Sequence, residues 1–492
     1  MRKLLVFGIL LVVLSAAPLY AVDLKVDGDF RIRGFYNNNL TDANSSIKDS
    51  NAFNSERFIL NFVAKSAPGP INVEGVLTTD LTSSNGTGNS RFGNVAFGPN
   101  SSAAVTCGGG TPTGCTQNTF TILQAYIKLN TPIASFAAGR QVFKLGHGLL
   151  VADAVDAFVL DVPVGIAKLT FGDLKIFDST RSANNGGVFI GNGTAGLPGG
   201  DTDLYVVNLG VKPSPDTKAD LFIGYYKDRG PSFIFQPNPA LPAYTDTANA
   251  EATIFGAAAE TKVGILHGIF EGDLIRGVVK DPASRGALLQ GHNIYLGGDV
   301  TLAFLNLGIS LVHASGQDAG DLTSGKRTNI NGINGDFPLG IIVTNVGARS
   351  PAPVDGTCPS FSGSGLGGRP GCFAGSGLNT IKFAAIITPP ATPKLGFEVD
   401  VLYNKSARDR PIQTAAGSAN FTKGGDEIGT ELDLFLRYAV TKELSVTAGW
   451  GMLFPGNWFE APTAATVGIG GNPTTQNASN LVVGVLEMRY QF

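Results

Sequence analysis

Asn480-Leu481-Val482-Val483-Gly484-Val485-Leu486-Glu487-Met488-Arg489-Tyr490-Gln491-Phe492 closes the chain, and its last seven residues alternate apolar with polar up to a terminal aromatic. Successive side chains of a strand point to opposite faces. Leu486, Met488, Tyr490 and Phe492 therefore share one face, while Glu487, Arg489 and Gln491 share the other. The segment predicts a β-strand with one apolar and one charged surface.

At the other end, Arg2 and Lys3 precede the apolar run from Leu4 to Leu14, and small residues follow up to Ala21. A charged start, a short apolar stretch and a small-residue end make a secretory signal peptide, too short for a spanning helix. Residues 1–21 are expected to be removed after Ala21, and the mature chain, 22–492, to leave the cytoplasm. No later stretch approaches the roughly 18 uninterrupted apolar residues of a transmembrane helix. With 36 basic and 39 acidic residues, the net charge of −3 argues against a nucleic-acid partner or a polybasic membrane-surface patch.

Alternating segments bounded by turn residues recur along the whole chain. Leu24, Val26, Phe30 and Ile32 oppose Lys25, Asp27, Asp29, Arg31 and Arg33; Phe58, Leu60 and Phe62 oppose Arg57, Asn61 and Lys65. Counting such segments gives about eighteen, an even number, as single-chain bacterial barrels require. Short links, such as Ala67 to Pro70, Pro163 to Gly165, one around Asn306 and Thr441-Lys442, alternate with long polar ones, such as Asn85 to Asn118, Arg181 to Asp201 and Gly316 to Leu378. That alternation is the pattern of short periplasmic turns and long extracellular loops. The reading is all-β: one transmembrane antiparallel β-barrel over 22–492, in the bacterial cell outer membrane with lipid around it. The terminal strand, ending on Phe492, resembles the last strand of such barrels, and it should pair with the strand starting near Leu24.

Cys107 and Cys115 share one long loop, and Cys358 and Cys372 share the longest. In an oxidising compartment two local disulfides are the simplest inference. No C-x-x-C spacing or nearby His supports a metal site, nothing resembles a haem attachment, and no cofactor is expected.

Gln124-Ala125-Tyr126-Ile127, Gly139-Arg140-Gln141, Leu145-Gly146-His147-Gly148-Leu149-Leu150 and Asp156-Ala157 form one block; Ile428 to Leu434 and Gly449-Trp450-Gly451 with Phe454-Pro455-Gly456 form a second. Both resemble blocks of alginate-export-like outer-membrane proteins. The resemblance implies an eighteen-stranded porin-like barrel.

An exporter of a polyanion should line its lumen with cations, since a cleft of one sign concentrates the other. The non-lipid faces read as mixed instead. The pore-lining candidates are Lys25, Asp27, Asp29, Arg31, Arg33, Arg57, Arg140, Asp299, Glu398, Asp400, Glu431, Asp433, Arg437, Glu487 and Arg489, with His147 a constriction candidate in its loop. Opposing ladders of the two signs would set a transverse field across a constriction; the same charges could equally be wall residues paired with cross-strand neighbours. Gly320 to Arg327 imitates a P-loop, but Arg327 stands where Ser or Thr is needed.

These features point to a porin-type channel for passive diffusion or export of small hydrophilic or ionic solutes, and not to an enzyme. A barrel scaffold for a periplasmic partner, such as a multihaem cytochrome or secretion component, is the alternative of another class; an outer-membrane hydrolase using His147 or His267 is a third. A homo-oligomer is compatible with a barrel of this size, as is a monomer.

Overall fold

The computed structural model describes residues 23–38, 50–85, 117–177, 202–228, 249–280, 287–316, 320–321, 326–327, 339–342, 377–409, 411–413, 421–459 and 479–492. Residues 1–21 and the four cysteines, Cys107, Cys115, Cys358 and Cys372, lie outside the described residues. Among those described, eighteen long strands close an antiparallel barrel. They are β1 Asp23–Asn38, β2 Asn51–Lys65, β3 Asn72–Asn85, β4 Gln117–Asn130, β5 Ser135–Lys144 and β6 Ala152–Val164. Next come β7 Ala167–Phe177, β8 Thr202–Ser214, β9 Thr217–Asp228, β10 Asn249–Val263, β11 Leu266–Lys280 and β12 Ala287–Leu302. The circuit ends with β13 Leu305–Ala314, β14 Leu378–Ile387, β15 Leu395–Lys405, β16 Glu427–Ala439, β17 Leu444–Pro455 and β18 Leu481–Gln491.

Each strand pairs with its successor, and β18 returns to β1, setting Arg489 opposite Arg31 and Glu487 opposite Arg33. Closure pairs the backbone groups that an open sheet edge would leave unsatisfied in hydrocarbon. The links at 66–71, 131–134, 165–166, 215–216, 264–265, 303–304, 388–394 and 440–443 lie on one rim, the periplasmic one by the short-turn rule. One turn differs from the expectation around Asn306. The chain reverses at Ala303-Phe304, with Leu302 opposite Leu305. Asn306 is a strand residue whose amide donates to Asp299 (2.7 Å) and Thr301 (2.9 Å) on the barrel wall, which satisfies it without a turn.

Period-two patterning sorts the two faces. Leu24, Val26, Leu221, Phe383, Leu486 and Met488 point outward and are exposed. Inside, apolar positions gather on the extracellular halves of β5 to β12, where Val155, Leu174, Leu204, Val206, Ile254 and Ile275 are buried. Such a surface cannot face pore water without cost, and Leu145, Leu150 and Val151 of the β5–β6 link cover it. A second cluster joins Leu149 to Leu339, Ile341 and Ile342 of the β13–β14 link, and to Trp458 after β17. Two inserted segments thus fill part of the interior.

The closing seam carries a prediction. The Gly28 amide donates to the Phe492 carbonyl (2.9 Å), and the Phe492 amide donates back to the Gly28 carbonyl (3.1 Å). The Phe492 ring lies near the Tyr490 ring at 5.8 Å and the Phe58 ring at 6.4 Å. Deleting Phe492 removes two hydrogen bonds and the ring contacts, about 2–4 kcal/mol together. The folded barrel, followed by its gel mobility in detergent, should melt at a lower temperature; an unchanged melting point would show that the seam does not depend on this residue.

Candidate functional site

Three arginines stand in one cross-strand row on the interior face. Arg31 of β1 is opposite Arg57 of β2 on one side and Arg489 of β18 on the other. Like charges directly opposite one another destabilise a sheet, so the row needs compensation. Asp29, one step along β1 on the same face, lies 3.3 Å from Arg31 Nε and accepts from Arg489 Nε at 2.7 Å. Asp80 of β3 takes Arg57 through Nε (2.9 Å) and an η nitrogen (2.7 Å), and Glu487 lies 3.9 Å from Arg33. Among the described residues, four guanidinium groups thus face three carboxylates.

Acidic pairs occupy the neighbouring arc, two and three strands before β18. Glu398 and Asp400 on β15, and Glu431 and Asp433 on β16, are buried on the interior face. Arg437 holds Glu398 at 2.5 Å, and Lys382 of β14 holds Asp400 at 2.6 Å. Glu431 and Asp433 serve another purpose. The amide of Ile342 donates to Glu431 (2.6 Å), that of Ile341 donates to Asp433 (2.9 Å), and Lys382 donates to the Leu339 carbonyl (2.8 Å). A Cβ on Gly340 would meet the Glu431 carboxylate at 2.7 Å, so a larger residue there would push that carboxylate from its place.

The same device recurs five strands away, on β11. Glu271, interior on β11, accepts from the backbone amides of His147 and of Leu149, the latter at 3.2 Å. Gly146 sits at φ +53° with its missing Cβ aimed at that carboxylate, so a side chain would be excluded both sterically and by backbone strain. In each case carboxylate oxygens on a strand, those of Glu271 alone or of Glu431 with Asp433, accept from the N–H groups of an inserted Gly-containing segment. The His147 ring approaches the Ala259 carbonyl at 3.3 Å, and burial holds its imidazole below the ordinary histidine range.

Lys25, Asp27, Asp29, Arg31, Arg33, Arg57, Asp299, Glu398, Asp400, Glu431, Asp433, Arg437, Glu487 and Arg489 all fall on interior faces by register. Arg140 does not, which corrects the sequence assignment. Pairing of β5 with β6 puts Phe136, Ala138, Arg140 and Val142 outside, because Ala137 and Phe143 are buried on the interior side. Both faces of β5 carry a phenylalanine and a polar residue, so alternation alone could not choose between them. Sequence reasoning also missed the inserted amides, although apolar residues flanked by glycine inside polar links, at Leu145 to Val151 and Leu339 to Ile342, are the available signal. Among the described residues no group of three or more His, Cys, Asp or Glu side chains is placed to hold a metal ion.

Exposure decides what the pore water meets. In Arg489–Asp29 the side chains are 37% and 12% exposed, in Arg437–Glu398 38% and 5%, and in Arg57–Asp80 24% and 10%. Arg33–Glu487, at 10% and 18%, and Arg31–Asp29, at 5% and 12%, reverse the order. Acids lie against the wall, and most of their long cationic partners reach into the lumen.

No protein-family model matches the chain, and no curated protein matches it. Solved structures do. OccK9 (OpdG) of Pseudomonas aeruginosa superposes with a TM-score of 0.54 at 12% identity, over 96% of this chain and 98% of that one. OpdL of the same organism gives 0.51 at 11% identity, over 96% and 99%. The outer membrane protein OpdK with vanillate gives 0.50 at 12% identity, over 95% and 98%. At such identities the likeness concerns the fold: a bacterial outer-membrane β-barrel of porin type.

Proposed function

We propose that this chain is a passive outer-membrane channel for small hydrophilic solutes and that it favours anions. The observation that carries the reading is the row Arg489–Arg31–Arg57, which with Arg33 sets four guanidinium groups beside three carboxylates among the described residues, while its two outer members, Arg489 and Arg57, are more exposed than their aspartates. Preorganised cations lining a narrow aqueous passage lower the energy of an anion there and raise that of a cation. Vanillate, seen with OpdK, is a small aromatic carboxylate. A solute of that class, one carboxylate on a compact body, is what the arginine row fits.

The finer likeness to alginate-export-like barrels is part of this proposal and rests on the two blocks at 124–157 and 428–456. So does the signal peptide at 1–21: the mature chain, purified from the outer-membrane fraction, should begin at Val22. Disulfides Cys107–Cys115 and Cys358–Cys372 complete the picture of a secreted barrel with stapled loops.

Purified protein in a planar bilayer should conduct, and under a tenfold salt gradient its reversal potential should take the sign of anion preference. Absence of conductance from a folded barrel would overturn the channel reading; a potential of cation sign would overturn the anion preference alone.

A further inference from the structure

Basic side chains gather on the outward face of β11 to β13 at the height where the apolar band ends. Arg276 is the eleventh residue of β11 counted from Leu266, and His292 is the eleventh of β12 counted from Leu302. Ten residue steps of about 3.3 Å along a strand tilted by about 40° rise roughly 25 Å from the periplasmic rim, which is the height of the apolar band of such barrels. Register fixes the outward placement, since Ile275, Asn293 and Val312 are buried on the interior side next to Arg276, His292 and His313. Below them on the outward face stand Phe270, Leu274, Ile294, Leu296, Ile309 and Leu311, all exposed.

His292 is held by a relay of hydrogen bonds. Asn379 of β14 donates from Nδ2 to the Ser406 carbonyl (3.4 Å), which turns its Oδ1 to His313 Nδ1 (2.6 Å). An amide oxygen only accepts, so His313 carries its proton on Nδ1 and its Nε2 accepts from His292 Nε2 at 2.9 Å. The two rings stack with centroids 4.9 Å apart. Nδ1 of His292 remains as the ring atom that can serve a ligand. The charges of Arg276 and of Arg408, in the β15–β16 link, both act on this ring. Nearby acids are already taken: Glu251 by Lys280 (3.0 Å), Asp426 by Lys405 (2.8 Å) and Asp409 by Lys423 (2.9 Å). Arg276 donates to the Ile275 carbonyl at 3.1 Å, and among the described residues no carboxylate lies within ion-pair reach of Arg276 or Arg408. Two exposed guanidinium groups and an imidazole thus meet without a counter-charge from the described chain.

We propose that Arg276, Arg408 and His292 bind the phosphate group of a lipid headgroup in the outer leaflet. A guanidinium fork matches two phosphate oxygens at once, and a phosphomonoester carries about 1.5–2 negative charges near neutral pH, which two arginines balance. His292 can take up a proton on Nδ1 and donate it to a third oxygen, while His313 and Asn379 keep its ring in place. The height of the cluster sets the phosphate at the headgroup level, and the apolar residues directly beneath it receive the acyl chains of the same molecule. A free phosphate ion would use the basic groups and leave that apolar surface without a role. Basic pockets at a membrane boundary recognise phosphorylated headgroups by this combination of charge and apolar contact.

The test counts lipids bound to the purified, folded barrel by native mass measurement in mild detergent, with monophosphoryl lipid A, its dephosphorylated form and inorganic phosphate as probes. The unaltered chain should bind the phosphorylated lipid about tenfold or more tighter than the dephosphorylated one. Arg276→Gln with Arg408→Gln should remove that difference, and Arg276→Lys with Arg408→Lys should keep part of it, since lysine retains the charge without the fork. Both double variants should conduct like the parent, because the site lies outside the lumen; an altered conductance would overturn the outward placement. Equal binding of the two lipids by the unaltered chain would overturn the proposal, as would a preference untouched by the glutamine pair. Displacement of the lipid by an equal concentration of inorganic phosphate would overturn the headgroup as the source of the phosphate. Should the glutamine pair misfold, Arg408→Gln alone, in a link outside the barrel strands, decides by the same comparison: a reduced preference supports the site and an undiminished one sinks it.

Discussion

Replacing Arg31, Arg57 and Arg489 together by glutamine should reverse the ion preference of the channel. Each guanidinium acts on a passing monovalent ion with about 0.7 kcal/mol at ~6 Å in a water-like medium. Three of them amount to about 2 kcal/mol before screening, about 30-fold for each ion and in opposite directions for anion and cation, so the anion-to-cation permeability ratio should fall by at least tenfold at low salt and by much less near 1 M, where the Debye length shrinks to ~3 Å. Asp29 and Asp80 would then stand without their arginines and Glu487 would keep only Arg33, which turns the arc from net positive to net negative. Lysine at the same three positions keeps the sign and should keep the preference, although it loses the fork that lets Arg489 and Arg57 bind their aspartates through two nitrogens. Reversal potentials across a salt gradient separate these outcomes. An unchanged potential in the glutamine variant would show that ions do not pass along the β18–β1–β2 wall.

How much of this arrangement the sequence reveals depends on whether side chains or backbone carry it. The seam between Phe492 and the first strand is legible because both strands alternate without a break, and one-residue slips would put Arg31 and Arg489 into lipid. The alternation of short and long links is equally plain, since a two-residue hairpin such as Gly264-Ile265 and a link such as 178–201 differ in length and composition. β5 is not legible, because Phe136 and Phe143 lie on opposite faces and only the apolar interior beyond Phe143 decides which one goes in. The arginine row is half legible: the residues can be picked out, but their alignment across three strands needs the register. Least visible are the two carboxylate clamps, Glu271 on one side and Glu431 with Asp433 on the other. Their carboxylates look like pore charges, whereas their partners are main-chain N–H groups of residues far away in sequence, which no side-chain pattern announces.

Those clamps lead to the second large effect. Glu431→Ala with Asp433→Ala should release the Leu339–Ile342 segment from the wall and raise single-channel conductance. Each lost bond joins a backbone amide to a buried carboxylate, and hydrogen bonds to charged groups contribute about 1.5–3 kcal/mol apiece. Loss of about 3 kcal/mol or more raises the population of the detached segment by a factor of ~100. Burial of Leu339, Ile341 and Ile342 opposes release, so the segment should come and go, and the current should show added open-level noise along with its larger mean. Glu431→Gln with Asp433→Asn leaves one carbonyl oxygen at each position to accept from Ile342 and Ile341, and it should fall between the parent and the alanine variant. Glu271→Ala should act likewise on the Leu145–Val151 segment by freeing the amides of His147 and Leu149. If alanine at all three acids leaves conductance and noise at the parent values, the inserted segments do not border the conducting path, and the passage runs wholly along the arginine wall.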